Sequence, residues 1–136
     1  MDYSVEVRRR FAAALAAPAQ NTLDSEVSAS AESEDRALAV WVRARIGVSG
    51  ERIVSAAFDV WGCPDTIAAA TLAAERIRDA ALEDFRGLDV HVLAEDLGIP
   101  TEKLGKLLRL EDAALAATAR AREQLKKGID NGSITD

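Results

Sequence analysis

Two runs of alternating residues, separated by a short glycine-containing segment, constrain the fold of this chain most strongly. The first run covers residues 37–46 and the second covers residues 52–60. Alternation with a period of two is typical of strands that bury one face and expose the other. The segment from Gly47 to Gly50 supplies turn residues, so the two runs predict an antiparallel hairpin. The predicted inward positions are Leu38, Val40, Val42, Ala44 and Ile46 in the first strand, and Val54, Ala56, Phe58 and Val60 in the second.

The hydrophobic period changes directly after Cys63. Pro64 suits the first position of a helix, which places Cys63 at the helix cap and Asp65 in the first turn. The apolar residues that follow recur at helical spacing, at Ile67, Ala70, Ala74 and Ile77. The pattern therefore predicts that a strand, a tight turn and a helix meet at the single cysteine.

The rest of the chain predicts a small α+β domain. A helix is expected over residues 3–17, with an apolar face of Val7, Phe11, Ala14 and Leu15. A marginal edge strand is expected over residues 25–32, and a helix over residues 88–97 that stops at Gly98. The last helix begins near Thr101, with inner positions at Leu104, Leu107, Leu108, Leu115 and Leu125. The predicted architecture is an antiparallel sheet of two or three strands packed with helices in one domain, residues 1–125, followed by a flexible tail, residues 126–136.

Composition narrows the class of protein. The 136 residues carry a formal net charge of −6, which disfavours nucleic acid because phosphate would repel the chain. The single cysteine excludes an internal disulfide, although a second chain could supply a partner thiol. No apolar run reaches the ~18 residues that a membrane span requires. Arg8 to Arg10 and the following alanines fit an amphipathic helix better than a signal peptide, so we expect a cytoplasmic protein.

Short motifs in chain order resemble those of a known family. Their most specific part is the aromatic-Gly-Cys turn between a strand and a helix rich in small residues. The chain resembles the IscU/NifU N-terminal family of iron–sulfur cluster scaffolds, and the resemblance implies the same α+β fold. The motifs are Tyr3-Ser4 with Val7 and Phe11, Ile53 to Phe58, Trp61-Gly62-Cys63, Thr66-Ile67-Ala68-Ala69, Ile99-Pro100 with Lys103, and Leu110-Glu111-Asp112-Ala113.

The same resemblance implies that the ligand set is incomplete. In the family, three cysteines and an aspartate or histidine hold a nascent cluster or a zinc ion, because iron in a cluster requires thiolate sulfur. Cys63 matches the second of these cysteines. The region of the first one offers Glu34, Asp35, Arg36 and Ala37, and Gly105-Lys106 stands where the family has His-Cys. The chain is thus identified as a degenerate member.

Several readings of the site residues stay open. Cys63 is either a sulfur acceptor or metal ligand, favoured by its place at a helix N-terminus, or a small buried residue without chemistry. Asp35, Asp65 and Glu102 could join Cys63 in a mixed site, and Lys106 could form an ion pair with one of the acids in place of a metal. The cofactor is open between none, zinc, iron and an iron–sulfur cluster. The single histidine, His91, is expected to be structural.

The resemblance implies two functions, both in iron–sulfur cluster assembly. The first is a binding or regulatory partner of a cysteine desulfurase or of another scaffold subunit. The second is a scaffold that accepts sulfur, metal or a cluster through Cys63, with the site shared between subunits of a homo-oligomer. An unrelated enzyme is disfavoured, because the sequence has no nucleophile–base pair by spacing and no phosphate-binding glycine loop.

Overall fold

The computed structural model describes the backbone of residues 3–16 and 26–134, with the side chains of residues 3–15 and 26–127. A short helix precedes three strands, and three further helices follow them, which confirms the α+β prediction. In chain order the elements are α1 Val5–Ala16, β1 Val27–Asp35, β2 Val40–Ser49, β3 Arg52–Trp61, α2 Pro64–Ile77, α3 Val90–Leu97, a 3₁₀ turn Thr101–Lys103 and α4 Leu104–Ile134.

The three strands form an antiparallel sheet in the order β1-β2-β3. Ala31 pairs with Ala44, which pairs with Phe58, so alternate residues of all three strands share one inner face. Helix α4 packs against β1 and β2, α2 packs against β3, and α1 packs against α2. Alanine supplies much of this core, because small side chains let the helices approach the sheet closely.

The first predicted strand begins later than its alternation indicates. Residues 36–39 form a turn, and β2 starts at Val40, so Leu38 is 38% exposed rather than inward. Ala39 adopts a left-handed φ of 55°, and the Asp35 carboxylate accepts a hydrogen bond of 3.1 Å from the Leu38 amide. This Asp-capped turn separates β1 from β2. The prediction placed the start of β2 too early because an alternating pattern cannot show where backbone pairing begins.

The second strand of the predicted hairpin, β3, has the predicted extent, but not all of its predicted inward positions are inward. A shift in register lies beside Gly47 and Val48, and it makes Ile53 the partner of Val48. Ile53 is therefore fully buried, whereas Val54, which was predicted to point inward, is half-buried. A bulge moves one residue out of the alternation, and the side chains on either side of it exchange faces.

The helices confirm their predicted positions and correct two of their faces. Helix α3 ends at Gly98 with φ of 67°, as its pattern predicts, but it begins at Val90 after the Asp89 cap, two residues later than predicted. Val7 of α1 and Leu107 of α4 are completely buried. Leu15 is 71% exposed and Leu108 is 39% exposed, so neither belongs to the inner face.

Several element ends differ from the predicted ones. Strand β1 runs from Val27 to Asp35 rather than over residues 25–32, and residue 25 lies outside the described residues, as does residue 17 at the predicted end of α1. Helix α4 continues through residue 125 to Ile134, so the predicted domain boundary falls within a helix. The flexibility of residues 126–136 stays a prediction. None of the described helices is both long and apolar enough to cross a membrane.

Candidate functional site

Three segments meet at one end of the sheet, and we call this region the Cys63 end. They are the β1–β2 turn (residues 36–39), the β3–α2 turn (residues 62–63) and the connection from α3 into α4 (residues 98–106). A Cβ added to Gly105 would lie 3.1 Å from Leu38 Cδ1, and one added to Gly62 would lie 3.4 Å from Val40 Cγ2. The chain therefore brings together the loops that the resemblance identifies with the ligand loops of the family.

Cys63 occupies the N-cap of α2, as the sequence predicts. Its backbone is extended, with φ of −82° and ψ of 164°, and Pro64 begins the helix. The Cys63 carbonyl accepts hydrogen bonds from the amides of Thr66 and Ile67 at 3.0 and 3.1 Å. The thiol is half-buried and lies 3.5 Å from the Thr66 hydroxyl. The side chain is thus held at the N-terminus of α2, where the helix dipole favours negative charge.

A lysine faces the thiol. The Lys106 ammonium donates to Cys63 Sγ across 3.7 Å. Burial raises the pKa of the Cys63 thiol, but hydrogen bonds from the Thr66 side chain and amide, together with the positive charge of Lys106, outweigh it. The pKa of Cys63 is therefore lowered, and the thiolate is favoured relative to a free cysteine.

A second lysine neutralises the buried carboxylate. The Asp65 side chain is only 3% exposed, and it accepts a hydrogen bond from the Lys103 ammonium. This hydrogen bond is the main reason why the pKa of Lys103 is raised. The same ammonium lies 4.8 Å from the centre of the Tyr3 ring, so it also holds the N-terminal segment at the Cys63 end.

The structure corrects the predicted role of Lys106. Lys103, rather than Lys106, forms the ion pair with an acid of the site, and Lys106 contacts the thiol instead. Lys103 ends the 3₁₀ turn and Lys106 lies three residues further on, in the first turn of α4. Two residues at that spacing on continuous helical backbone lie on the same face. That spacing was the one feature of the sequence that indicated a pair of lysines at this site. The sequence alone does not show that Asp65 is buried beside Lys103.

The four predicted metal-binding residues do not gather around one point. Asp35 caps the β1–β2 turn and Glu102 is exposed in the 3₁₀ turn. In the part of the chain that the structure describes, no group of three or more His, Cys, Asp or Glu residues could hold a metal ion. One thiolate with an ammonium beside it does not fit a cluster or a zinc ion, which require several anionic ligands. A metal role for these residues stays a prediction that a partner chain would have to complete.

Three further side chains, one of histidine and two of tryptophan, complete the comparison with the sequence. His91 is exposed on α3, where its amide, not its ring, contacts the Asp89 carboxylate. Trp41 is half-buried, with the Arg43 guanidinium 5.6 Å from the centre of its ring. Its cross-strand partner Trp61 is 69% exposed next to the cysteine turn, a feature that alternation alone does not reveal.

The fold and the site together define an α+β domain with three loops converging on one cysteine. The NifU-like N terminal domain family matches residues 20–128. The chain therefore belongs to this family, as its motifs predicted.

Three curated relatives carry names from iron–sulfur cluster assembly. The iron-sulfur cluster assembly scaffold protein IscU of Rickettsia prowazekii is 32% identical over 60% of this chain and 62% of its own length. The iron-sulfur cluster assembly enzyme IscU of Drosophila melanogaster is 31% identical over 59% of the chain and 52% of its length. The iron-sulfur cluster assembly protein 1 of Arabidopsis thaliana is 33% identical over 56% and 46%. The chain matches less than two thirds of the length of each relative.

Proposed function

We propose that this chain is a scaffold homologue without a complete ligand set, which acts as a binding or regulatory partner in iron–sulfur cluster biogenesis. The observation that carries the proposal is the Cys63 end itself. Its loops converge as a scaffold site requires, yet its only thiol faces Lys106 and its buried carboxylate is paired with Lys103. A site of this kind retains the shape that a partner recognises without the ligands that hold a cluster.

The surface around this end supports a binding role. Leu38, Trp61 and Leu108 are large apolar side chains that are exposed on or beside the converging loops. Exposed tryptophan is frequent among the residues that contribute most to protein–protein affinity. We propose that these side chains contact a cysteine desulfurase or another scaffold subunit. A non-catalytic, cytoplasmic role is part of the same proposal.

A binding experiment tests the proposal. The purified chain, carrying an affinity tag, is offered to the purified cysteine desulfurase and scaffold protein of the same organism. We expect at least one of them to be retained, and Trp61→Ala to weaken the complex by about 10-fold or more. Val92→Ala is the control, because Val92 is an exposed apolar residue of α3, outside the three converging segments. Retention of neither protein would contradict the proposal.

A second function is favoured by the lowered pKa of Cys63. The thiolate would attack the outer sulfur of a donor persulfide. A new S–S bond then forms on Cys63, the S–S bond of the donor breaks, and the donor leaves as a thiolate. The sulfur changes carrier without net oxidation, so the step needs no further reagent.

Anaerobic incubation with a persulfide donor, or with iron and sulfide, separates the two functions. Mass spectrometry would find one added sulfur atom on wild-type protein and none on Cys63→Ser if Cys63 accepts sulfur. Absorbance and metal analysis would report a cluster held between two subunits. An unmodified thiol and no bound iron would remove this second function and leave the binding role standing.

A further inference from the structure

Two ammonium groups lie at the Cys63 end, each against a different side chain that can carry negative charge. Lys103 contacts the Asp65 carboxylate and Lys106 contacts the Cys63 thiol. We propose that Lys103 and Lys106 together replace a metal ion at this end of the fold, so that the segment leading into α4 is held to the start of α2 without any divalent cation. We call the four residues Cys63, Asp65, Lys103 and Lys106 the lysine clamp.

The lysine clamp makes some of the connections between segments that a bound metal would make, although it does not include the β1–β2 turn. Lys103 belongs to the 3₁₀ turn, and through Asp65 it joins this turn to the first turn of α2. Its contact with the ring of Tyr3 adds the N-terminal segment. Lys106, in the first turn of α4, reaches the cap of α2 through Cys63. Positive charge is thus shared among ligands from separate segments, as it is around a structural metal ion.

The positive charges of the clamp also oppose a divalent cation. The Asp65 side chain is 3% exposed, and its carboxylate already has a cation as partner. A metal ion that bound Asp65 and Cys63 would have to displace both ammonium groups or lie against them. Like charges at such short range destabilise binding most where water is excluded. The lysines therefore both neutralise the site and disfavour the metal.

This inference goes beyond the proposed function, because a chain that acts as a binding partner could still require zinc to fold. The lysine clamp and the binding role can also be refuted independently of each other. The metal response is measured on the isolated chain, and partner binding is measured by retention of a second protein. A chain that is stabilised by zinc and still binds its partner would contradict the lysine clamp alone.

The first test is thermal unfolding of the wild-type chain with added zinc and with a chelator. A ligand that binds only the folded state raises the midpoint of unfolding, and its removal lowers that midpoint. We expect the two midpoints to coincide within error, and metal analysis of the untreated protein to find no zinc above background. A clear rise with zinc, or a fall with the chelator, would overturn the proposal.

The second test removes the charges singly and as a pair. Lys103→Met leaves a buried carboxylate without a cation, and we expect the unfolding midpoint to fall by roughly 10 °C. Lys127→Met is the control, because the Lys127 side chain is 71% exposed and its contact with Glu123 is 3.9 Å. Adding Asp65→Asn to Lys103→Met removes both charges and should restore part of the loss. The proposal is wrong if Lys103→Met behaves like the control, or if the double variant is no more stable than the single one.

The third test converts the clamp into a metal site. Lys106→Cys places a second thiol opposite Cys63 and removes the ammonium that opposes a cation. We expect zinc to raise the unfolding midpoint of this variant and to leave that of Lys106→Ser unchanged, since thiolates are preferred zinc ligands. Equal zinc responses of Lys106→Cys and the wild-type chain would show that Lys106 does not control metal binding.

Discussion

The two ends of the sheet are held together by different kinds of interaction. At the Cys63 end, side-chain charges join the loops, through the Lys103–Asp65 ion pair and the Lys106–Cys63 contact. At the β2–β3 hairpin end, the chain after α2 pairs with the start of β3 through backbone groups. Ile53 donates to Ala80 at 2.9 Å and accepts from Asp79 at 2.8 Å, and Leu82 donates to Glu51 at 2.8 Å.

This difference has consequences for substitution and for pH. Backbone hydrogen bonds are available to almost any sequence, and they do not titrate near neutral pH. Ion pairs and thiolate contacts depend on the identity of each side chain and on its protonation. Substitutions at the hairpin end should therefore change stability through lost packing and backbone strain. Substitutions at the Cys63 end should change it through charge, in a way that depends on pH.

The largest change in unfolding free energy is expected from lost packing at the hairpin end. Ile53→Ala removes a fully buried side chain and should cost about 2–5 kcal/mol of unfolding free energy. Urea denaturation followed by circular dichroism measures the loss. Val54→Ala is the matched variant, since Val54 is only half-buried beside the register shift, and it should cost less. Equal losses for the two variants would show that the bulge does not place Ile53 in the core.

A pair of glycines compares the two ends directly. Gly98 and Gly50 have φ of 67° and 63°, so alanine is strained at both by about 1 kcal/mol. A Cβ on Gly98 would also lie 3.2 Å from Ser4 Cβ, whereas one on Gly50 would have no heavy atom within 4 Å. We expect Gly98→Ala to be the more destabilising variant in urea denaturation. Equal losses would mean that Ser4 moves aside freely and does not hold the N-terminal segment in place.

The smallest effect concerns the charge on Cys63. The folded-state pKa of this thiol is lowered, so the thiolate contributes stability above its ordinary pKa of about 8.5, and this contribution is lost as pH falls through the folded pKa. The stability difference between wild type and Cys63→Ser should therefore grow as pH rises toward that value.

Lys106→Met should slow alkylation of Cys63 by iodoacetamide a few-fold at neutral pH, because it removes one of the groups that lower the pKa of the thiol.

The control for this measurement is Lys127→Met, which should alkylate at the wild-type rate because Lys127 lies far along α4 and is exposed. Rates recorded from pH 6 to 10 give the pKa directly, so a change in access to the thiol is distinguished from a change in its charge. An identical pH profile for Lys106→Met and wild type would rule out an electrostatic role for Lys106.

Much of the fold follows from local patterns in the sequence. Alternation predicts β2 and β3, and the change of period at Cys63 predicts α2 with its cap. These patterns reflect the geometry of single elements, which depends on neighbouring residues. The errors lie where backbone geometry changes within an element, at the Asp35 turn that exposes Leu38 and at the bulge that buries Ile53.

The candidate site was predictable only in part. The sequence by itself determined that one cysteine caps a helix after a strand, and that the chain has no second thiol. Only the tertiary structure decided which charges meet it, because Asp65 and Lys103 are 38 residues apart and Cys63 and Lys106 are 43 apart. Pairings at such separations depend on how α4 docks on the sheet and on which groups lose water there. No local pattern encodes that choice, since the free energy of a charged pair is set by its burial and not by its spacing along the chain.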